Sequence, residues 1–518
     1  MSTVTRCILA VQRGLWAMLV FLFLFSSAFG QYTLVCQKDG GAASLRLGWS
    51  VAKVGDVNGD CKADFIVGAP NYPSLTAPGK AYVYSGADCS VIYEKTGVNN
   101  GDAFGWSVAG AGDVNGDGTP DFIVGAIQDG TGNGKAYVYS GLNGNLLYEK
   151  TGAANQNRFG NSVDGVGDVN SDGKSEFIVG SPTTTPGTGG TGSAYVYNGA
   201  DGSLLYQKNG SSFFNGADSL FGWAVAGAGD VNGDGKPDFI VGSRNSKVGG
   251  INRVGRAYVY SGASGAPLLY TNTGPSGNSL FGNSVDGAGD INFDGKADYI
   301  VGAHLADTGG LTDAGSAYVF SGANGTTVLF QKNGAAASDN FGYSVAGAGN
   351  VNGDLNIAYA DFIIGAPLAD PGGRTDAGSA YLYSGVTGSL LFQKDGAANT
   401  DNLGFSVNGA GDLNRDEHQE IIIGARQADP GGLSNAGSAF VYKDPCEHAV
   451  RGDMNGDGIG TPSDVVLMQN CVYSASGNCD LCFADTNCDG ALTPSDVTNE
   501  LNWVYSGIPI PCTSPCLP

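Results

Sequence analysis

The segment Asp230-Val-Asn-Gly-Asp-Gly-Lys-Pro-Asp-Phe-Ile-Val-Gly242 occurs, with variations, seven times, and the interval between copies constrains the fold more than any other feature of the chain. Copies begin at Asp56, Asp113, Asp168, Asp230, Asp290, Asn350 and Asp412, a period of 55 to 62 residues. The unit around each is clearest in the second copy. It runs from an aromatic-Gly start at Phe104-Gly105 through the acidic loop Asp113 to Asp121, Phe122-Ile-Val-Gly125, a variable loop, Ala136-Tyr-Val-Tyr139 and a short turn to Leu146-Leu-Tyr-Glu-Lys150. Short apolar runs bounded by turn residues read as strands. Four strands at this period match a propeller blade, so the expected fold class is all-β, with seven four-stranded blades forming a β-propeller.

The phase of the repeat adds a prediction about the ends. Tyr32-Thr-Leu-Val-Cys-Gln-Lys38 reads as a fourth strand lacking its first three, whereas the seventh unit stops after its third, Ala439-Phe-Val-Tyr442. The first strand is therefore expected to complete the last blade and leave no open sheet edge. The 86 glycines fall in register with the strands, which indicates tight turns rather than low complexity.

Residues 1–30 carry Arg6 and Arg13, an apolar run from Leu15 to Phe25 and small residues at Ser26-Ser-Ala28-Phe-Gly30, the pattern of a secretory signal. No stretch approaches a membrane span of ~20 residues, so no span is expected in the mature chain. Of 11 cysteines, Cys7 leaves with the signal, and six (Cys471, Cys479, Cys482, Cys488, Cys512, Cys516) crowd the end of the chain. That distribution implies disulfides in an oxidising compartment, with connectivity in the small terminal module left open. Cys61 and Cys89 both fall on turns of the first blade and could pair. The net charge of −23 disfavours nucleic acid as a partner. Because the excess acid is concentrated in the repeated loops, where oxygen-bearing residues alternate, the charge is better matched to divalent cations.

Propeller residues 31–444 end at Lys443-Asp-Pro-Cys446, where Pro breaks the strand pattern. Beyond it, Asp453, Asn455, Asp457, Thr461 and Asp464 occupy positions 1, 3, 5, 9 and 12 of a twelve-residue loop, and Asp485, Asn487, Asp489, Thr493 and Asp496 do the same in a second. This is EF-hand spacing with Asp in place of the terminal Glu. Each loop leads into an expected helix, Val465–Cys471 and Val497–Val504, capped through Thr-Pro-Ser-Asp. Arg451-Gly452-Asp453 spells an adhesion tripeptide, but Asp453 is already the first ligand of the loop. Residues 509–518 read as an irregular Cys/Pro-rich tail.

The Phe-Gly starts, the acidic loops and Gly68-Ala-Pro70 or Gly365-Ala-Pro367 resemble FG-GAP repeats, the units of the seven-bladed propeller of integrin alpha subunits. That resemblance implies Ca²⁺ in the lower-face loops. The ligands carried over are Asp56, Asn58, Asp60 and Asp64; Asp113, Asn115, Asp117 and Asp121; Asp168, Asn170, Asp172 and Glu176. The later copies supply Asp230, Asn232, Asp234 and Asp238; Asp290, Asn292, Asp294 and Asp298; Asp412, Asn414, Asp416 and Glu420. The sixth copy departs, with Asn350, Asn352 and Asp354 followed by Leu355 and three extra residues before Asp361. The bland alternative for any one loop is an Asx-rich turn that bonds its own backbone.

Residues 446–508 resemble a type I dockerin, a module that folds around two Ca²⁺ and docks onto a cohesin. Pro462-Ser463 and Pro494-Ser495, positions 10 and 11 of the two loops, would choose that partner, and their identity would permit two orientations. A calcium-stabilised cap without a partner is the alternative.

In the propeller the resemblance implies ligand contact on the upper face, formed by loops linking strands two to three and four to one. Arg244, Lys247, Arg253 and Arg256 gather on one such loop, to hold an acidic side chain or glycan or simply to be solvated. Trp49, Trp106, Trp223, Tyr343 and Phe405 follow the aromatic-Gly or Leu-Gly start and form either a cup at the channel mouth or packing between blades. His304, His418 and His448 fall in unrelated places and no nucleophile motif is present. The sequence thus reads as a secreted, calcium-binding, non-enzymatic propeller that takes an extracellular protein or polysaccharide and is tethered to a cohesin-bearing assembly or surface. A polysaccharide-active enzyme and a purely structural surface protein are the rivals.

Overall fold

The computed structural model describes residues 32–444, apart from 75, 129–131, 154–157, 184–190, 211–219, 264–265, 354–358 and 417. The expected signal, the dockerin-like module with its ligands and helices, the terminal tail and Asp354 lie outside the described residues. Within them the chain is a seven-bladed propeller of four-stranded antiparallel sheets, six of them with their strands in sequence order. The first blade is typical, with strands Ser50–Gly55, Asp64–Ala69, Lys80–Tyr84 and Val91–Thr96 from the axis outward.

The seventh blade is built from both ends of the propeller. Its outer strand is Thr33–Asp39, paired antiparallel with Ser438–Lys443 from Thr33 opposite Lys443 to Asp39 opposite Ser438. The phase of the repeat thus predicts the closure that is found. Cys36 on this strand forms a disulfide with Cys89 in the first blade, with a Cα–Cα distance of 6.2 Å. Cys61 is free and exposed. The expected Cys61–Cys89 pairing is therefore replaced by one that crosses between blades. The closing strand brings Cys36 beside a turn of the next blade, a neighbour that sequence distance within one blade cannot reveal.

The second strand of every blade is buried along its whole length, Asp238–Ser243 being one example, because it has sheet on both edges and neighbouring blades on both faces. The core accordingly lies between blades. Ile66, Ala81 and Val83 of the first blade pack in one cluster with Phe104, Phe122, Val124 and Tyr137 of the second.

The repeat signature has a direct steric reason at this joint. Phe104 is buried in the joint. Gly105 has φ +85°, and a Cβ there would strike the carbonyl of Lys80, while one on Gly68 would strike the carbonyl of Gly105. The Phe-Gly of one blade thus seats against the Gly-Ala of the blade before it. Serine hydroxyls add cross-blade bonds, Ser50 Oγ accepting from Val108 N–H at 3.1 Å and Ser406 Oγ from Val51 N–H at 3.0 Å.

Candidate functional site: acidic loops below, an aromatic and arginine mouth above

Six of the acidic loops begin with a carboxylate that accepts amides of its own loop, and in the sixth copy the Asn350 amide oxygen takes that place, accepting from Gly353 N–H at 2.8 Å. Asp56 Oδ1 accepts from Gly59 and Asp60 N–H at 2.7 and 3.1 Å, and Oδ2 from Cys61 N–H at 2.6 Å. Asp113 and Asp230 repeat the pattern. Asn58 and Asp60, the third and fifth residues, cap the next amides. The ninth residue does something different. Asp64 is fully buried, with Oδ2 accepting from Val57 N–H and Oδ1 from Gly86 N–H, both at 2.9 Å. It fastens the loop to the turn after the third strand. Asp121, Asp238 and Asp298 make the same two bonds, and Glu176 reaches them with a longer side chain. In the sixth copy Asp361 keeps both, from Val351 at 2.8 Å and Gly385 at 3.0 Å, despite the insertion before it.

These buried carboxylates are hard to ionise without a counter-charge. Burial, reinforced by the other loop carboxylates, pushes Asp64, Asp121, Asp238 and Asp298 up to about 6, Glu176 to about 7 and Glu420 to about 8. The donor set fits a hard divalent cation. It is all oxygen, each carboxylate keeps lone pairs beyond its amide bonds, and oxygens of Asp168, Asp172 and Glu176 lie within 4.8 Å of one another.

A pH dependence follows with a definite sign. A carboxyl whose folded value lies above its unfolded one binds its proton more tightly when folded, so stability is present below the unfolded value and falls as pH rises through the folded one. In excess chelator, the thermal midpoint should fall between about pH 4 and pH 8. In calcium that fall should be absent. A midpoint that rises with pH in chelator would contradict the assignment.

At the upper end of the channel, the residues that follow the aromatic-Gly and Leu-Gly starts meet in a ring. Trp49 lies 4.7 Å from Trp106 and 5.1 Å from Phe405, and Phe405 lies 4.9 Å from Tyr343. Tyr72 sets its edge against both tryptophans. In the third and fifth blades Asn161 and Asn283 stand at the aromatic position, donating to the carbonyls of Trp223 and Tyr343 in the next blades. Arginines occupy the gaps they leave. Arg158 sits 5.3 Å from the Trp106 ring and 5.6 Å from Trp223, and Arg244 stacks 3.2 Å over Trp223 while donating to Asn283 Oδ1 at 3.0 Å. Arg426 lies 3.6 Å over Phe405 and 4.8 Å from Trp49. Burial lowers the pKa of all three, Arg244 and Arg426 to about 10. His304, buried against Tyr343 and beside Arg244 and Arg253, is held down to about 3 and is neutral.

Below the ring runs a channel of about 740 Å³ lined by the innermost strands. Its polar side chains include Lys53, Asn408 and two carboxylates, Asp164 and Asp286. Each carboxylate accepts an amide from the next blade, Gly227 N–H at 2.9 Å and Gly347 N–H at 3.2 Å. Burial raises both pKa values, and at Asp286 the Asp164 charge raises it further.

Of the basic loop, only Arg244 joins the ring. Arg253 is exposed nearby, Arg256 opens the third strand of its blade opposite Ser243, and Lys247 precedes the hairpin closed by Val248 and Ile251. The aromatic cup and the basic loop, separate candidates in the sequence, thus share one site through Arg244 and Trp223. Arg158 and Arg426 escape a reading of single loops, but for Arg426 an aligned column holds the signal. The residue after Gly-Ala or Gly-Ser in the second strand is Pro70, Ile127, Pro182 and Pro367 in four copies, but Arg244, His304 and Arg426 in the others.

The FG-GAP repeat matches residues 47–84, 104–139, 159–197 and 221–260. Integrin alpha-5 of Xenopus laevis is 33% identical over 214 residues, 38% of this chain and 20% of that protein. Integrin alpha-V of Gallus gallus is 32% identical over 211 residues, again 38% and 20%. The match thus spans about a fifth of the length of these relatives. A crystal structure of Saccharomyces cerevisiae Sqt1 superposes with a TM-score of 0.47 at 11% identity, over 81% of this chain and 100% of that one. The chain therefore carries FG-GAP repeats in a seven-bladed propeller with integrin alpha relatives, and no catalytic family is indicated. Among the described residues, no helix is long and apolar enough to cross a membrane.

Proposed function

We propose that this chain is an exported, calcium-stabilised FG-GAP propeller that binds an extracellular protein through its upper mouth. In the same reading the dockerin-like module at 446–508 holds it to a cohesin-type partner, through Pro462, Ser463, Pro494 and Ser495. The observation that carries the reading is the division of labour between faces. The lower loops repeat one hydrogen-bonded pattern, whereas the upper mouth gathers residues that differ between blades and leaves guanidinium donors without acidic partners among the described residues. The integrin alpha relatives support a binding role for the propeller. Secretion rests on residues 1–30 and calcium on the repeated oxygen donors.

The test is a binding screen of the calcium-loaded mature protein against immobilised extracellular proteins and polysaccharides. Two variants, one with an azide-bearing residue in place of Thr312 on an upper loop and one with it in place of Asp201 on a lower turn, would carry a bulky polymer through the azide, leaving the native cysteines untouched. At least a tenfold loss of protein binding is expected with the polymer at position 312 and less than twofold at 201. Equal loss at both positions, or cleavage of a polysaccharide in place of binding, would overturn the reading.

A further inference from the structure

We infer that the ring at the channel mouth is a carboxylate receptor, built to take a short acidic segment of a protein between Arg158, Arg244 and Arg426. The inference deepens the proposed binding role and rests on it. A bare aromatic cup presents negative ring faces and attracts a cation. Here that attraction is satisfied from within, because Arg244 lies on Trp223 and Arg426 on Phe405, with Arg158 between Trp106 and Trp223. The mouth has been converted from a cation acceptor into an anion acceptor.

The guanidinium donors are largely unspent. Each Arg carries about five N–H donors in a planar fork. Arg244 uses one on Asn283 and its Nε is buried with no partner, and Arg426 uses Nε on Asn402 at 3.3 Å. The Arg158 guanidinium makes no hydrogen bond or ion pair with the described residues, only its backbone carbonyl accepting, from Asn161 N–H at 3.0 Å. The two ion pairs found there, Lys80–Glu94 and Lys135–Glu149, join third to fourth strands away from the mouth. In a chain with 49 acidic and 26 basic residues, leaving three half-buried arginines without a carboxylate is a costly arrangement that an incoming carboxylate would relieve. Burial lowers the pKa of each, the direction expected of a cation awaiting its counter-charge.

The surroundings select a short protein segment over a polyanion or a sugar. Asp307, Asp370 and Asp429 stand exposed on the loops between second and third strands of the last three blades, so an extended polyanion would meet like charge outside the ring. Trp49 and Phe405 are 7% and 9% exposed beneath each other and Arg426, and Arg244 lies over Trp223, so these three faces offer no open platform for a pyranose. One or two Asp or Glu side chains on a peptide satisfy both limits.

The experiment measures binding of acetylated, amidated hexaglutamate to the full mature chain in calcium, by calorimetry and tryptophan emission. Arg158→Gln, Arg244→Gln and Arg426→Gln should each weaken binding about tenfold, and the triple variant should abolish it. The Lys variants at the same positions, which keep the charge but lose the fork, should fall between. Lys247→Gln should bind as the parent does, and all variants should retain the parent's calcium-dependent melting. No binding by the parent, or undiminished binding by a folded triple variant, would overturn the inference. Tighter binding of trigalacturonate than of hexaglutamate would overturn the choice of a protein segment. A protein ligand blocked by the polymer at position 312 yet indifferent to the triple Gln change would sink this inference and leave the binding role standing.

Discussion

Removal of divalent cations is expected to lower the thermal midpoint of the propeller by more than about 15 °C at neutral pH, with full recovery when calcium is returned. A ligand held only by the folded state stabilises it by about 2.7 kcal/mol per site when present at a hundredfold excess over its dissociation constant. Whole domains are stable by about 5–15 kcal/mol, so loss of two or three such sites is comparable with the total. The structure supplies the reason for a large effect. Without a cation, Asp64, Asp121, Asp238 and Asp298 are buried carboxylates facing other carboxylates of the same loop. Calorimetry in EDTA and in calcium measures the shift. A midpoint changing by less than about 2 °C, or total bound metal near two ions per chain, would confine calcium to the terminal module.

The second large effect concerns the closing strand. Deletion of residues 31–38 should abolish the cooperative unfolding transition of the propeller. It removes nearly all the pairing of Thr33–Asp39 with Ser438–Lys443, the stacking of Tyr32 on Phe392 at 4.7 Å and the Cys36–Cys89 bond. At about 1 kcal/mol per net hydrogen bond and 2–4 kcal/mol for a disulfide, the loss is about the stability of the whole domain. It also exposes the edge of Ser438–Lys443 to pairing with other chains. Cys36→Ser is the milder form, expected to cost about 2–4 kcal/mol while leaving a closed ring. Unchanged melting after the deletion would show that the ring closes by other contacts.

The blade count, the four-strand unit and the closure by the first strand are legible in the sequence because a period and its phase are properties of the chain alone. The roles of Asp64 and its equivalents are legible only in part. Spacing marks them as oxygen donors, but their burial and their bonds to amides such as Gly86 N–H depend on a turn 22 residues away. The Cys36–Cys89 bond and the Arg158 bridge escape because both join different blades, and a propeller sets distant repeats side by side only after it closes. In the mouth, a single column of the repeat shows aromatics, and only the column holding Arg244 and Arg426 shows what covers them.

The blade shared between the chain's two ends also has a mechanical meaning. Tension applied beyond Asp444 enters through Ser438–Lys443, which is held on one side by Glu420–Ala425 and on the other by Thr33–Asp39. The pull runs along the strand, so the rungs on both sides are loaded together in shear rather than opened one at a time. Any slip of the outer strand is then resisted by Cys36, whose bond to Cys89 passes the force into the first blade and around the ring. The joint that closes the circle is thus placed where a tethered propeller would bear its load.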